Sequence, residues 1–159
     1  GEAVMTEQPY HLVKKLGQAR YEIDTDRARL DFRVMHGFLV NSHWARGSPL
    51  AVLERAVQHS LPFGLYKGRR QIGFARVVTD HATFAYLADV FIVKAYRGKG
   101  LSKKLMEAIH AHPDLQGLRT WLLQTKDAHG LYQQFGWNIH EQPETVMRIR
   151  NAAVYNKDK

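Results

Sequence analysis

Residues 83–112 constrain the fold of this chain more than any other stretch. Tyr86–Val93, "YLADVFIV", is an apolar run broken only by Asp89 and reads as part of a strand over 83–93. A few residues later Leu101, Leu105, Ala108 and Ile109 form a helical stripe, and Pro113 ends it. The junction is "AYRGKGLSKKL", with two glycines and the basic side chains Arg97, Lys99, Lys103 and Lys104. A strand that passes directly into an amphipathic helix requires that helix to pack on a sheet. The result is a layered fold.

The flanking patterns supply the rest of the layers. "YEID" (21–24), Leu61–Tyr66, 71–79 and 118–124 read as strands, and the "TDHAT" bend makes a hairpin of 71–79 with 83–93. Helices are expected over 26–41, from Ser48-Pro49 onward with Ser48 as N-cap, over 99–112, and after Asp127 as N-cap. Gly136 is placed as a helix stop, and "TVMRIR" (145–150) reads as a last strand. With 159 residues there is room for one domain. Residues 1–19 are expected to be an N-terminal extension and 20–159 a single α+β domain.

Several function classes drop out on composition. There is no cysteine, which removes disulfides, thiolate metal sites and a cysteine nucleophile, and fits a cytoplasmic protein. No apolar run approaches the ~18–20 residues of a membrane helix, and no N-terminal segment has the form of a secretory signal. Among nine histidines no pair has His-x3-His spacing, and His110 and His112 lie on different faces of one helix, so no metal is expected. The net charge of +8 suits an anionic partner, but the charges are scattered except at "KGRR" (67–70) and 97–104. A nucleic-acid partner is not expected, because no recognition helix or aromatic stacking strand is present.

The charge at 97–104 has a more local meaning. A helix N-terminus leaves backbone N–H groups unpartnered and favours negative charge, while glycine lets an anion approach without meeting a Cβ. "RGKG" at such a point suits a diphosphate. It is neither a P-loop, which needs GxxxxGK[ST], nor a GxGxxG dinucleotide loop.

Taken together, the strand "YLADVFIV", the loop "KAY" and "RGKGLSKKLMEAI" resemble the cofactor motif [QR]-x-x-G-x-[GA] of the GNAT N-acetyltransferases. Arg97 and Gly100 fill the first two fixed positions, and Ser102 replaces the Gly or Ala of the third. "DAHGLYQQFGW" resembles the second signature of the family through Tyr132, Gly136 and Trp137. The resemblance implies a central, mostly antiparallel twisted sheet of about six or seven strands. It would be splayed between the fourth, 83–93, and the fifth, 118–124, and flanked by about four helices.

It also implies a reaction: transfer of acetyl from acetyl-CoA to a primary amine. A small molecule is the expected acceptor, with a protein lysine or N-terminus as the alternative. A CoA-binding regulatory module without catalysis is the competing class. By resemblance, the backbone of Val90, Phe91 and Ile92 pairs with the pantetheine arm. The amides of Gly98, Lys99, Gly100, Leu101, Ser102 and Lys103, with Arg97, hold the pyrophosphate. An N–H near Ile92 would polarise the thioester, and the Tyr132 hydroxyl would protonate the departing thiolate.

Asp89 is the only carboxylate of the central strand. Strict alternation turns it away from the face shared by Tyr86, Ala88, Val90 and Ile92, although a bulge would reverse that. Proton removal through water, with Asp89 or Tyr86 contributing, is expected. The loop "VNSHWARGS" (40–48) offers His43, Trp44 and Arg46 as acceptor contacts. The protein is expected to act as a monomer or homodimer.

Overall fold

Six strands lie side by side in the order in which the chain makes them: β1 (His11–Leu16), β2 (Ala19–Asp24), β3 (Leu61–Lys67), β4 (Arg70–Thr79), β5 (Phe84–Ile92) and β6 (Thr120–Leu122). The first four pairings are antiparallel and β5–β6 is parallel. Helices α1 (Phe32–Leu39), α2 (Leu50–Gln58), α3 (Leu101–Ala111) and α4 (His129–Gln133) flank the sheet. The structure, a computed structural model, describes residues 8–155. The expected mixed α+β fold is the one observed.

Two apolar layers cover the two faces. On one, Leu101, Leu105, Met106 and Ile109 of α3 pack over Phe63, Leu65, Val77 and Leu87. On the other, Met35 and Leu39 of α1 with Leu53 and Val57 of α2 cover Phe74 and Phe91.

Several boundaries differ from the sequence reading. Residues 11–16 are not part of an extension: β1 pairs along its whole length with β2, so the strands read as fourth and fifth are β5 and β6. The helix expected over 26–41 is divided. Arg27–Arg29 form a short 3-10 turn, and Asp31 then caps α1 by accepting from the N–H groups of Arg33 and Val34. Asp31 interrupts because its short carboxylate competes for backbone donors better than it fits a helix interior.

At α2 the N-cap is Pro49 rather than Ser48, with no side-chain cap bond. Helix α3 begins at Leu101 because Gly100, at φ 81°, cannot be its first turn. Ala128, not Asp127, caps α4, and its N–H donates to Thr125 Oγ1 at 3.0 Å. The last expected strand, 145–150, does not form. Thr145 ends a 3-10 turn, and no edge of this sheet lies beside the residues that follow.

The central feature is where β5 loses its neighbour. β6 pairs with β5 only through Phe84–Tyr86 against Thr120–Leu122, so from Leu87 to Ile92 that edge of β5 has no strand partner among the described residues. On its other edge β5 carries a bulge. Phe74 faces Phe91 and Arg76 faces Ala88, which leaves Ala75 opposite both Asp89 and Val90. Asp89 absorbs the extra residue in the left-handed region, at φ 55°.

Candidate active site

The open edge of β5 and the start of α3 enclose a cavity of about 440 Å3. Its walls include Val90, Phe91 and Ile92 from the strand, and Arg97, Gly98, Gly100, Leu101, Ser102 and Lys103 from the junction. Tyr132 closes it from α4 and Phe38 from α1. These residues come from three separate regions of the chain, and the divergence of β6 from β5 makes the space between them. Lys99 stands in the junction but lines no part of the cavity.

The junction is built to present donors. Gly98 and Gly100 lie at φ 77° and 81°, a region that bars most side chains, and Gly100 caps α3 without any side-chain bond. The first N–H groups of α3 are therefore left to whatever occupies the cavity. Arg97 donates from Nε to the Ile92 carbonyl at 2.9 Å, which aims its guanidinium along the cavity wall. Arg97, Lys99 and Lys103 take part in no ion pair among the described residues, so their charge is uncompensated. A diphosphate fits this donor set.

Tyr132 is 8% exposed, and burial pushes its phenol above the usual tyrosine range. It is thus a protonated donor at neutral pH. Its position on α4 is secured from the C-terminal side. Trp137 N–H donates to the Tyr132 carbonyl at 3.3 Å, and Trp137 Nε1 donates to His110 Nε2 at 3.0 Å, tying α4 to α3.

The bulge decides the direction of Asp89. Ala85 and Leu87 belong to the α3-side layer, as do Val90 and Ile92, whereas Phe91 belongs to the other. Parity changes at Asp89, so Asp89 leaves the α3 face and Tyr86 and Ala88 do not share a face with Val90 and Ile92. The Asp89 carboxylate accepts from Arg76 Nε at 2.5 Å and from Trp44 Nε1 at 2.8 Å. Arg76 continues to Ser60 Oγ at 3.1 Å.

Asp89, Arg76 and Trp44 line a second cavity of about 180 Å3, together with His36, Leu39 and Tyr155. Of the loop residues singled out in the sequence, only Trp44 reaches it. His43 packs edge-on to the Trp44 ring at 5.0 Å and, like Arg46, lines neither cavity. Tyr86 lines neither cavity. Phe38 stacks on Phe91 at 4.2 Å and lies 6.2 Å from Trp44, forming the partition between the two spaces.

Sequence reasoning passed over Arg76, Phe38 and Tyr155. Arg76 had a signal, a lone charge inside the apolar strand "QIGFARVVT". Tyr155 had none.

Comparison with known proteins matches this architecture. The family model for the acetyltransferase (GNAT) domain matches residues 58–139. The chain belongs to the GNAT acetyltransferase family. Membership implies acyltransferase chemistry. A Gibberella zeae protein classed as an acetyltransferase is 30% identical over 158 residues, spanning 84% of this chain and 88% of that protein. A crystal structure from Xanthomonas campestris, of a protein assigned to the GNAT family, shares 46% identity with a TM-score of 0.83. It covers 86% of this chain and 97% of its own. A GNAT acetyltransferase from Elizabethkingia anophelis, solved with acetyl-CoA bound, has the same fold at a TM-score of 0.53 and 9% identity. That match covers 86% of this chain and 80% of the other.

Proposed function

We propose that this protein transfers the acetyl group of acetyl-CoA directly to a primary amine of a small molecule. One observation carries the reading: the unpaired edge of β5, the glycine-opened start of α3 and Tyr132 converge on a single cavity. The acetyl-CoA held by the Elizabethkingia relative supports the choice of co-substrate.

In this reading Val90, Phe91 and Ile92 offer backbone groups to the pantetheine arm, and Arg97 with the Gly98–Lys103 segment holds the pyrophosphate. An N–H at the end of β5 polarises the thioester oxygen. Tyr132 donates its proton to the sulfur as the C–S bond breaks. The amine enters by the second cavity, past Trp44 and the Phe38 partition. An alkylamine with a pKa near ~10.4 must lose a proton before it can attack. Both Asp89 oxygens are already hydrogen-bonded, so we assign the proton to water at the Asp89 end of this cavity, with Asp89 orienting that water. The small volume of the second cavity favours a small acceptor over a folded protein surface.

Calorimetry with CoA and acetyl-CoA, followed by thiol release across a panel of amines, tests the reading. Tight acetyl-CoA binding with amine-dependent thiol release is expected. Absence of binding to either cofactor overturns it, and binding without release by any amine favours a non-catalytic CoA-binding module.

A further inference from the structure

The walls of the second cavity are apolar over most of their extent. Leu39 comes from α1, Val52, Leu53 and Ala56 come from α2, and Trp44 and Tyr155 complete the lining. Trp44 and Val52 are 46% and 40% exposed, so the rim that opens to solvent is apolar as well. Burial against such a lining stabilises an apolar ligand body and offers a polar one few partners.

The charged groups of this cavity are committed to one another. Asp89 forms an ion pair with Arg76, and Arg76 also donates to Ser60 Oγ. Ser60 Oγ donates in turn to the Ala56 carbonyl at 2.6 Å, which ties the guanidinium to the end of α2. His36 Nε2 donates to the Ser48 carbonyl at 2.7 Å. Among the described residues no other Lys or Arg lines the cavity, and a ligand carboxylate entering it would meet Asp89 as a like charge. An ammonium meets the opposite case. Each Asp89 oxygen accepts one hydrogen bond and has a lone pair for another. Asp89 is also the only carboxylate of the described lining, so a second ammonium inside the cavity would be desolvated without a partner.

Volume sets the size of the ligand. An apolar cavity of about 150 Å3 holds benzene. The cavity here, about 180 Å3, accommodates a six-membered ring with an aminomethyl arm.

We propose that the acceptor is a hydrophobic primary monoamine of about the size of benzylamine, with neither a carboxylate nor a second ammonium. Its nitrogen lies at Asp89 and its body against α2. The proposal rests on the acetyl-transfer reading and names the substrate class of that same site. The ammonium R–NH3+ and acetyl-CoA give R–NH–CO–CH3, the CoA thiol and one proton. The acetyl carbon exchanges its bond to sulfur for one to nitrogen. Of the two protons the nitrogen loses, one balances that gained by the thiolate and one goes to water. The amide is neutral and no longer pairs with Asp89, which favours its release.

Matched pairs of amines test the class by acetyl-CoA-dependent thiol release. Benzylamine should exceed phenylglycine, which differs by a carboxylate, at least about tenfold in kcat/KM. Butylamine should exceed 1,4-diaminobutane, which differs by an ammonium, by a similar factor. Ala56→Leu narrows the cavity, and leucine is nearly as good a helix former as alanine. It should lower kcat/KM for benzylamine relative to ethylamine at least about tenfold. Release that is as fast with phenylglycine or 1,4-diaminobutane overturns the proposal and leaves acetyl transfer standing, as does an Ala56→Leu variant with the wild-type ratio. If acetyl-CoA binds and no amine releases thiol, the acetyl-transfer reading fails. Calorimetry of benzylamine with the CoA complex then decides the ligand class by itself. Saturable binding weakened by Ala56→Leu upholds the class, and absence of binding overturns it.

Discussion

Trp44 Nε1 donates to Asp89 Oδ1 at 2.8 Å, joining the loop after α1 to the bulge of β5 across 45 residues of sequence. The bond does two things. It holds a non-glycine residue in left-handed backbone, which costs about 1–2 kcal/mol, and it draws the indole across the mouth of the second cavity.

Trp44→Phe removes the donor and keeps most of the ring. Losing one hydrogen bond to a charged acceptor is worth about 1.5–3 kcal/mol at most. The KM for the amine should rise by roughly tenfold while acetyl-CoA affinity stays the same. Steady-state kinetics paired with calorimetry on the variant check this, and an unchanged amine KM would remove Trp44 from the acceptor site.

Tyr132→Phe should lower kcat by about 10²–10⁴, the range for loss of a general acid, with little change in cofactor affinity. Burial raises the phenol pKa, so the group stays protonated past the usual value near ~10. The wild-type kcat profile should therefore show no descending limb from Tyr132 below about pH 10, and a stopped-flow pH series would expose one.

Gly100→Ala isolates the backbone contribution of the junction. A Cβ there would meet no atom within 4 Å, so the penalty comes from φ 81° alone. About 1–2 kcal/mol of stability should be lost. If the chain instead relaxes the turn, acetyl-CoA affinity should fall at least about tenfold as the amides at the start of α3 are re-aimed. Urea unfolding and calorimetry together separate the two costs, and a variant equal to wild type in both would show that the left-handed turn is dispensable.

His110 and His112 make stability depend on pH. Both accept hydrogen bonds in the fold, His110 Nε2 from Trp137 and His112 Nδ1 from the Asp114 N–H, and burial lowers both pKa values. Below about pH 6.5 the unfolded chain binds protons that the folded chain refuses, so stability falls as pH drops through that value and is flat above it. The urea midpoint should decrease from neutral pH to about pH 5.5. His112→Asn, which retains an acceptor for Asp114 N–H, should flatten the slope.

The parts of the site legible in the sequence are those made within one short stretch. Gly98, Gly100 and Arg97 are covalently placed at the end of a strand, and φ preference with helix polarity determines what such a junction presents. Tyr132 was legible for a similar reason, since Gly136 and Trp137 stand at fixed spacing in the same helix and turn. Over 26–41 the apolar spacing persists and reads as one continuous helix. The competition of Asp31 for backbone N–H groups then divided it.

The sequence by itself thus determined most of the elements, β1 and the unformed strand at 145–150 apart, with the layered fold and the glycine-opened basic junction, because these rest on local conformational preference and periodic burial. Tertiary structure alone decided the rest. The direction of Asp89 depends on the register of β5 against β4, where one bulged residue exchanges the faces of every side chain before it relative to those after it. The opening beside β5 depends on how soon β6 ends, and the second cavity on Trp44, Arg76 and Tyr155 arriving from three distant segments. Contacts of that kind are set by packing the whole chain at once, so no window of sequence contains them.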